Sequence, residues 1–203
     1  MTVMRVVDAD RPDSEVLDAA AAVLKSGGTV AFPTESFYGL GADARSPDAV
    51  RRVFRIKGRP ESKPLLVLVD SMERALALVE DASPGARELM ARYWPGPLTL
   101  VLRASPLVPT EVTAGSGTVG VRVPGHAVAL GLVRAAGMPV TAPSANPSGA
   151  APPTRAGEVA ASFGEAVDFI LDAGATAGGA GSTLADCTVW PPRILRQGPI
   201  RLS

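Results

Sequence analysis

The order of apolar runs and capped helices marks this chain as an α/β protein. Three observations carry that expectation. Short apolar segments of strand length, at residues 29–33, 65–69, 98–102 and 119–123, are separated by stretches with helical spacing. Helix starts are marked by Asp13 or Ser14, Ser46-Pro47, Ser71 and Ser83-Pro84. Such side chains cap orphan amides, and proline suits the first helical position. Finally, 46% of the 203 residues are hydrophobic, which is enough for one sizeable core. Residues 1–203 are therefore expected to form a single domain.

The first helix follows Asp13 or Ser14, carries Val16, Ala20, Val23 and Leu24 at helical spacing, and stops at Gly27-Gly28. Residues 29–33 form a buried strand that runs into T-E-S-F-Y-G-L-G, residues 34–41. This is a polar loop at a strand's carboxyl end, where Thr34 and Tyr38 can present hydroxyls. The next helix buries Val50, Val53 and Phe54 and breaks at Lys57-Gly58-Arg59-Pro60, which gathers Lys57, Arg59 and Lys63 just before the strand at 65–69. Cations also suit a helix C-terminus through the helix dipole. The corner is thus either a cap or a fixed turn aimed at an anion, and the Gly and Pro between the cations favour the second. Two further helices start at Ser71 and Ser83, the latter reaching about Tyr93. Trp94-Pro95-Gly96-Pro97 is a rigid turn before the strand at 98–102, with Trp94 assigned to core or hinge packing.

Gly115-Ser116-Gly117-Thr118-Val119-Gly120 matches G-x-G-x-x-G by letter. The dinucleotide fingerprint follows a strand and opens a helix, whereas this run opens a strand and then meets Pro124, so a Rossmann site is rejected. Alternation places Gly120, Arg122 and Pro124 on one face and three valines on the other. Arg122 either projects into a site or makes a surface ion pair. A helix over 126–136 closed by Gly137, then a strand at 138–142, leads to T-A-P-S-A-N-P-S-G, residues 141–149. Pro143, Pro147 and Gly149 exclude a helix, and Ser144, Asn146 and Ser148 crowd polar groups at a strand's carboxyl end, where open α/β sheets bind ligands. Ordinary turn chemistry also accounts for each of those residues separately. The remaining elements are a helix from Thr154 to about Phe163, a strand at 167–171, a glycine-rich stretch at 174–181, and a hairpin of 185–189 and 193–196 turned by Trp190-Pro191-Pro192. No Walker lysine follows any glycine run, so a P-loop is excluded.

Twenty basic and twenty acidic residues give a formal net charge of zero, so the total charge calls for neither nucleic acid nor an anionic membrane. The single cysteine, Cys187, excludes an intramolecular disulfide and reads as a buried inert thiol. The single histidine, His126, is given a structural or peripheral role, since one imidazole leaves few ways to build a catalytic relay or a metal site. Aromatic residues, at 4%, are poor material for base stacking. The chain carries no long apolar run and no leader-like amino terminus, and a cytoplasmic location is expected. Four cations, Lys57, Arg59, Arg122 and Arg196, remain beside strand ends or glycine-rich turns, among three hydroxyl-rich loops. They point to an anionic ligand and to catalysis by positioning and charge stabilisation, as in nucleotidyl or phosphoryl transfer.

The segments F-P-T-E-S-F-Y-G-L-G, K-G-R-P-E-S-K-P-L, W-P-G-P-L-T-L-V-L, V-G-V-R-V-P, A-P-S-A-N-P-S-G, S-T-L-A-D and I-L-R-Q-G-P-I follow one another in this order. As a set they resemble the YrdC/TsaC threonylcarbamoyl-AMP synthases over about residues 14–200. The resemblance implies a twisted mixed sheet flanked by helices, with a central concave groove. It implies formation of threonylcarbamoyl-AMP and pyrophosphate from L-threonine, bicarbonate and ATP, towards threonylcarbamoyladenosine in ANN-decoding tRNAs. The family's catalytic Lys/Arg and Ser/Asn tetrad falls on Lys57, Arg59, Ser144 and Asn146. ATP contacts fall on Lys57, Arg59, Thr118, Ser144 and Arg196, and threonine contacts on Thr34, Arg122 and Ser182. Mg²⁺ is expected to arrive with ATP rather than in a protein metal site, and the product to pass to a threonylcarbamoyl transferase machinery, with a possible contact to tRNA. Two departures stand out. Leu68 occupies the place of a histidine found in many relatives, and the chain ends soon after I-L-R-Q-G, as in a short form without the extra carboxyl-terminal domain. The competing classes are a double-stranded RNA, tRNA or ribosome-maturation module without turnover, and a carbamoyl-adenylate enzyme of hydrogenase maturation.

Overall fold

The computed structural model describes residues 2–202. Among these the order is β1 (Val3–Val6), α1 (Ser14–Lys25), β2 (Val30–Pro33), β3 (Tyr38–Gly41), α2 (Pro47–Lys57), β4 (Leu66–Leu68), α3 (Met72–Ala77), α4 (Pro84–Tyr93) and β5 (Leu98–Arg103). It continues with α5 (Thr110–Thr113), β6 (Thr118–Arg122), α6 (Ala127–Ala136), β7 (Val140–Thr141), α7 (Ala156–Phe163), β8 (Phe169–Asp172), β9 (Thr183–Asp186) and β10 (Arg193–Arg196). The helix starts lie where the capping residues place them. Asp13, Ser46, Ser71 and Ser83 each accept a hydrogen bond from an amide of the first turn. His126 does the same through Nδ1, which accepts from Val128 N at 3.2 Å, so the one imidazole is a helix cap. Burial, the largest influence on it, lowers its pKa.

The strands form two mixed sheets, one ordered β1-β8-β2-β3 and the other β10-β9-β5-β6-β4-β7. They are stitched together along β3 and β7. Leu40 N donates to Pro143 O at 2.8 Å, Ala145 N to Tyr38 O at 2.7 Å, Thr141 N to Ala42 O at 3.0 Å and Ala44 N to Pro139 O at 3.0 Å. The Thr141 hydroxyl closes the seam by donating to Leu40 O at 3.1 Å and accepting from Ala42 N at 3.0 Å. The expected twisted mixed sheet is therefore two sheets with an irregular join. Pro139 and Pro143 accept across this seam but have no N–H to donate, so regular pairing lapses on either side of β7.

Two departures from the expected elements bear on the site. Residues 34–41 are not one loop, because Tyr38–Gly41 is a fully buried strand hairpinned onto β2 and only residues 34–37 turn. At the other end, β9 begins at Thr183 rather than at residue 185, leaving Val189 and Trp190 exposed in the turn. The short α5 and the exposed edge strand β1 carry no sequence signal of their own. Hydrogen bonding to β8 supplies β1 with its partner. The core has two parts. One packs α1 and α6, through Leu17, Leu24, Leu132 and Val133, against Phe32, Leu68 and Val140. The other gathers Val53, Phe54 and Met90 with Tyr38, Leu100 and Val121. Cys187 is buried, and desolvation pushes its thiol up to about 11, consistent with an inert side chain.

Candidate active site

Residues of both sheets line a groove of about 480 Å³, a size typical of small-molecule sites. Seven of the nine residues singled out from sequence line it: Thr34, Arg59, Thr118, Arg122, Ser144, Ser182 and Arg196. They come from the β2–β3 turn, the corner after α2, strand β6, the loop after β7, and the β9–β10 hairpin with the glycine-rich crossing before it. Lys57 and Asn146 are not on its surface.

Strand alternation accounts for the floor. Thr118, Gly120 and Arg122 of β6 face the groove, while Val119 and Val121 belong to the core. Arg122 is not a surface ion pair, since only 3% of it is exposed. Its Nη2 lies 3.4 Å from Glu35 Oε2, and its Nε has no hydrogen-bond partner among the described residues. Burial lowers its pKa first; Glu35 opposes that shift and Arg196 adds to it. Arginine stays protonated through such shifts, so the groove has a dehydrated positive charge at its base. Leu68 lies beside Arg122 in the β4/β6 register but is fully buried in the apolar core. It offers no polar replacement for an imidazole.

Arg196 reaches back from β10 to the start of β9. Its Nε and Nη2 donate to Ser182 O at 3.1 and 2.9 Å, and Nη2 also reaches Ser182 Oγ at 3.1 Å. Ser182 Oγ is 2.8 Å from Thr99 Oγ1, so serine and arginine are fixed as a unit. Arg59 is aimed by Gly58, which closes α2 in the left-handed conformation with φ 56°. Its Nη2 donates to Pro64 O at 3.0 Å. Lys63 is exposed and outside the groove wall. Of the three cations at this corner, only Arg59 faces the groove.

Lys57 is engaged elsewhere, with main-chain carbonyls. Its ammonium is buried behind the loop after β7 and donates to the carbonyls of Ser144 and Asn146. Its own carbonyl accepts from Ser148 N at 2.7 Å. Burial, and then the charge of Arg59, lower its pKa to about 8. Asn146 is likewise turned inward, its Nδ2 donating to Pro147 O at 2.9 Å and Ala150 O at 2.8 Å. Asn146 and Lys57 thus build a turn, as ordinary turn chemistry would have it, and that turn presents Ser144 to the groove. Thr34 also plays a double part. Its hydroxyl donates to Phe37 O at 2.7 Å while its side chain lines the wall.

Glu35 and Thr99 carry no signal of their own in the sequence. Each acts through a residue distant in the chain, Glu35 on Arg122 and Thr99 on Ser182, and neither spacing nor periodicity marks such a pair. Among the described residues no group of three or more His, Cys, Asp or Glu is placed to hold a metal ion. No helix among them is long and apolar enough to cross a membrane.

A family model for Sua5, yciO and yrdC, described as "Telomere recombination", matches residues 22–198. The chain is 46% identical over 184 residues to the threonylcarbamoyl-AMP synthase of Pyrococcus abyssi, covering 91% of this chain and 54% of that protein. It is 44% identical over 182 residues to the Bacillus subtilis protein of the same name, covering 89% of this chain and 53% of that one. The crystal structure of P. abyssi Sua5 complexed with L-threonine matches with a TM-score of 0.93 at 44% identity, over 96% of this chain and 57% of that one. The chain spans about half the length of these relatives.

Proposed function

The chain belongs to the Sua5/YciO/YrdC family, and from that premise we propose that its groove forms threonylcarbamoyl-AMP and pyrophosphate from L-threonine, bicarbonate and ATP. The observation that carries this reading is the convergence of Arg59, Arg122 and Arg196 on one groove, with Arg122 almost wholly removed from water. Guanidinium forks match carboxylate and phosphate oxygens, and they act more strongly where water is excluded. Arg122 pairs with the threonine carboxylate, beside the Thr34 and Ser182 hydroxyls. Arg59 and Arg196, with the Thr118 and Ser144 hydroxyls, meet the triphosphate. Lys57 and Asn146 serve the nucleotide by holding the Ser144 loop in place.

In this nucleotidyl transfer the threonine amine bonds to the bicarbonate carbon with loss of water. A carbamate oxygen then displaces pyrophosphate from the α-phosphorus. The fixed cations hold the reactants in line and stabilise the charge that gathers on the leaving pyrophosphate. Mg²⁺ enters as part of the nucleotide substrate, held by phosphate oxygens and water. The product is a reactive mixed anhydride, which suits prompt transfer by a threonylcarbamoyl transferase machinery to tRNA in a soluble, cytoplasmic compartment.

The test is pyrophosphate release from Mg·ATP by the purified protein, with L-threonine or bicarbonate left out in turn and serine and alanine as controls. Release that needs both co-substrates and prefers threonine is the expected result. No release, together with salt-sensitive tRNA binding, would replace this reading with that of an RNA-binding module.

A further inference from the structure

Arg122 and Glu35 are removed from water together, yet they are loosely joined. Their side chains are 4% and 23% exposed, and their contact is a single approach of 3.4 Å between Nη2 and Oε2. Arg122 Nε and Glu35 Oε2 are both buried, and neither has a hydrogen-bond partner among the described residues. The other carboxylate oxygen is firmly held, because Oε1 accepts from Gly125 N at 2.7 Å. Gly125 approaches this closely because it lacks a side chain. A Cβ there would stand 3.2 Å from Oε1 and 3.3 Å from the Cα of Gly96. The carboxylate is therefore pinned by one oxygen to the segment that leads into α6, and it shows the other to the guanidinium.

A tight bidentate pair would satisfy Arg122 and leave little for a ligand. An absent counter-charge would leave a buried cation uncompensated, which is strongly destabilising. The observed arrangement lies between these extremes. We infer that Glu35 is a positioning residue for the amino-acid subsite: it holds the Arg122 guanidinium and supplies its counter-charge while leaving the groove-facing donors for an α-carboxylate. Glu35 does not line the groove, so it acts through Arg122 and not on the substrate. The inference rests on the proposed function, which assigns that subsite to threonine.

Glu35→Gln keeps an oxygen for Gly125 N but sets an amide NH₂ against the guanidinium, donor facing donor. By calorimetry, the Kd for L-threonine is expected to rise about tenfold or more, since charge-assisted contacts of this kind are among the strong ones. In kinetics, KM for threonine should rise similarly, with KM for ATP within about twofold and the thermal midpoint close to wild type. Glu35→Asp, which keeps the charge, should recover part of the affinity. Unchanged threonine affinity in Glu35→Gln would overturn the inference alone, leaving the activity intact. So would equal losses for ATP and threonine in both variants with a lowered thermal midpoint, the mark of a merely structural residue. Failure of the wild-type protein to bind L-threonine would overturn the proposed function, and this inference with it.

Discussion

Arg122 and Lys57 are both buried cations, yet one lines the groove and the other is held behind it by main-chain carbonyls. The side of β6 on which Arg122 stands follows from alternation with three valines, and the structure puts it on the groove floor. Arg122→Lys keeps the charge but not the fork. Steady-state kinetics should show KM for threonine raised by about tenfold to a hundredfold, equivalent to about 1.4–2.7 kcal/mol, with KM for ATP nearly unchanged. Lys57 was legible as a cation at a corner, but its partners are backbone carbonyls, which no sequence pattern marks. Lys57→Met strands Asn146 O, a loss of about 1–3 kcal/mol when buried, while Ser144 O keeps its bond from Asn146 N. The thermal midpoint should fall and ATP binding should weaken through the Ser144 loop. The sign of its pH dependence follows from its pKa, about 8 against an ordinary 10.5. Between those values the unfolded chain holds the proton that the folded chain has lost, so this group makes stability rise with pH across that window. A neutral amine still has two hydrogens for its two carbonyls. Denaturant titrations from pH 8 to 10.5 should show this rise, of order 1–3 kcal/mol, in wild type but not in Lys57→Met.

Among the elements, the β2–β3 hairpin departs furthest from its local sequence pattern. T-E-S-F-Y-G-L-G has the glycines and small polar residues of a loop, yet half of it is buried strand. The reason lies across the ladder, where Phe32 pairs with Gly39. A Cβ at Gly41 would stand 2.8 Å from both the Phe32 ring and Val140. The glycines make room for an aromatic ring that local pattern cannot connect to them. Tyr38, at the start of β3, ties the hairpin to the glycine-rich crossing, its hydroxyl donating to Gly174 O at 2.7 Å and accepting from Ala173 N at 3.3 Å. Burial, the largest cause, raises that hydroxyl to about 12. A raised pKa means stability that is fully present below the ordinary value near 10 and is lost as pH climbs through 12. Tyr38→Phe should be less stable at neutral pH by about 1–2 kcal/mol. It should also lack this group's loss between pH 10 and 12, which denaturant midpoints at both ends of that window would reveal.

At the scale of the whole molecule, the groove exists because two sheets meet, and where they meet was not legible in the chain. Capping and apolar runs located most helices and strands, since those signals are local. The β3–β7 seam joins segments far apart in sequence through main-chain bonds interrupted by prolines, and it leaves no periodic trace. The same seam carries Ser144 on its far end, bridged to Gly39. If the two sheets fold as one domain, weakening the seam should weaken both together. Thr141→Val keeps the shape but leaves Ala42 N and Leu40 O without the side-chain partner they now share, a loss of about 2 kcal/mol. Far-UV circular dichroism reports on both sheets. Tryptophan fluorescence comes from Trp94, whose indole donates to Leu98 O at 2.7 Å, and from Trp190 in the β9–β10 turn, so it reports on the six-stranded one. The two midpoints should coincide in wild type and fall together in Thr141→Val. A fluorescence midpoint that stays in place while the dichroism splits into two steps would mean that the seam joins two independently folding sheets. The groove between them would then owe its shape to docking rather than to a common fold.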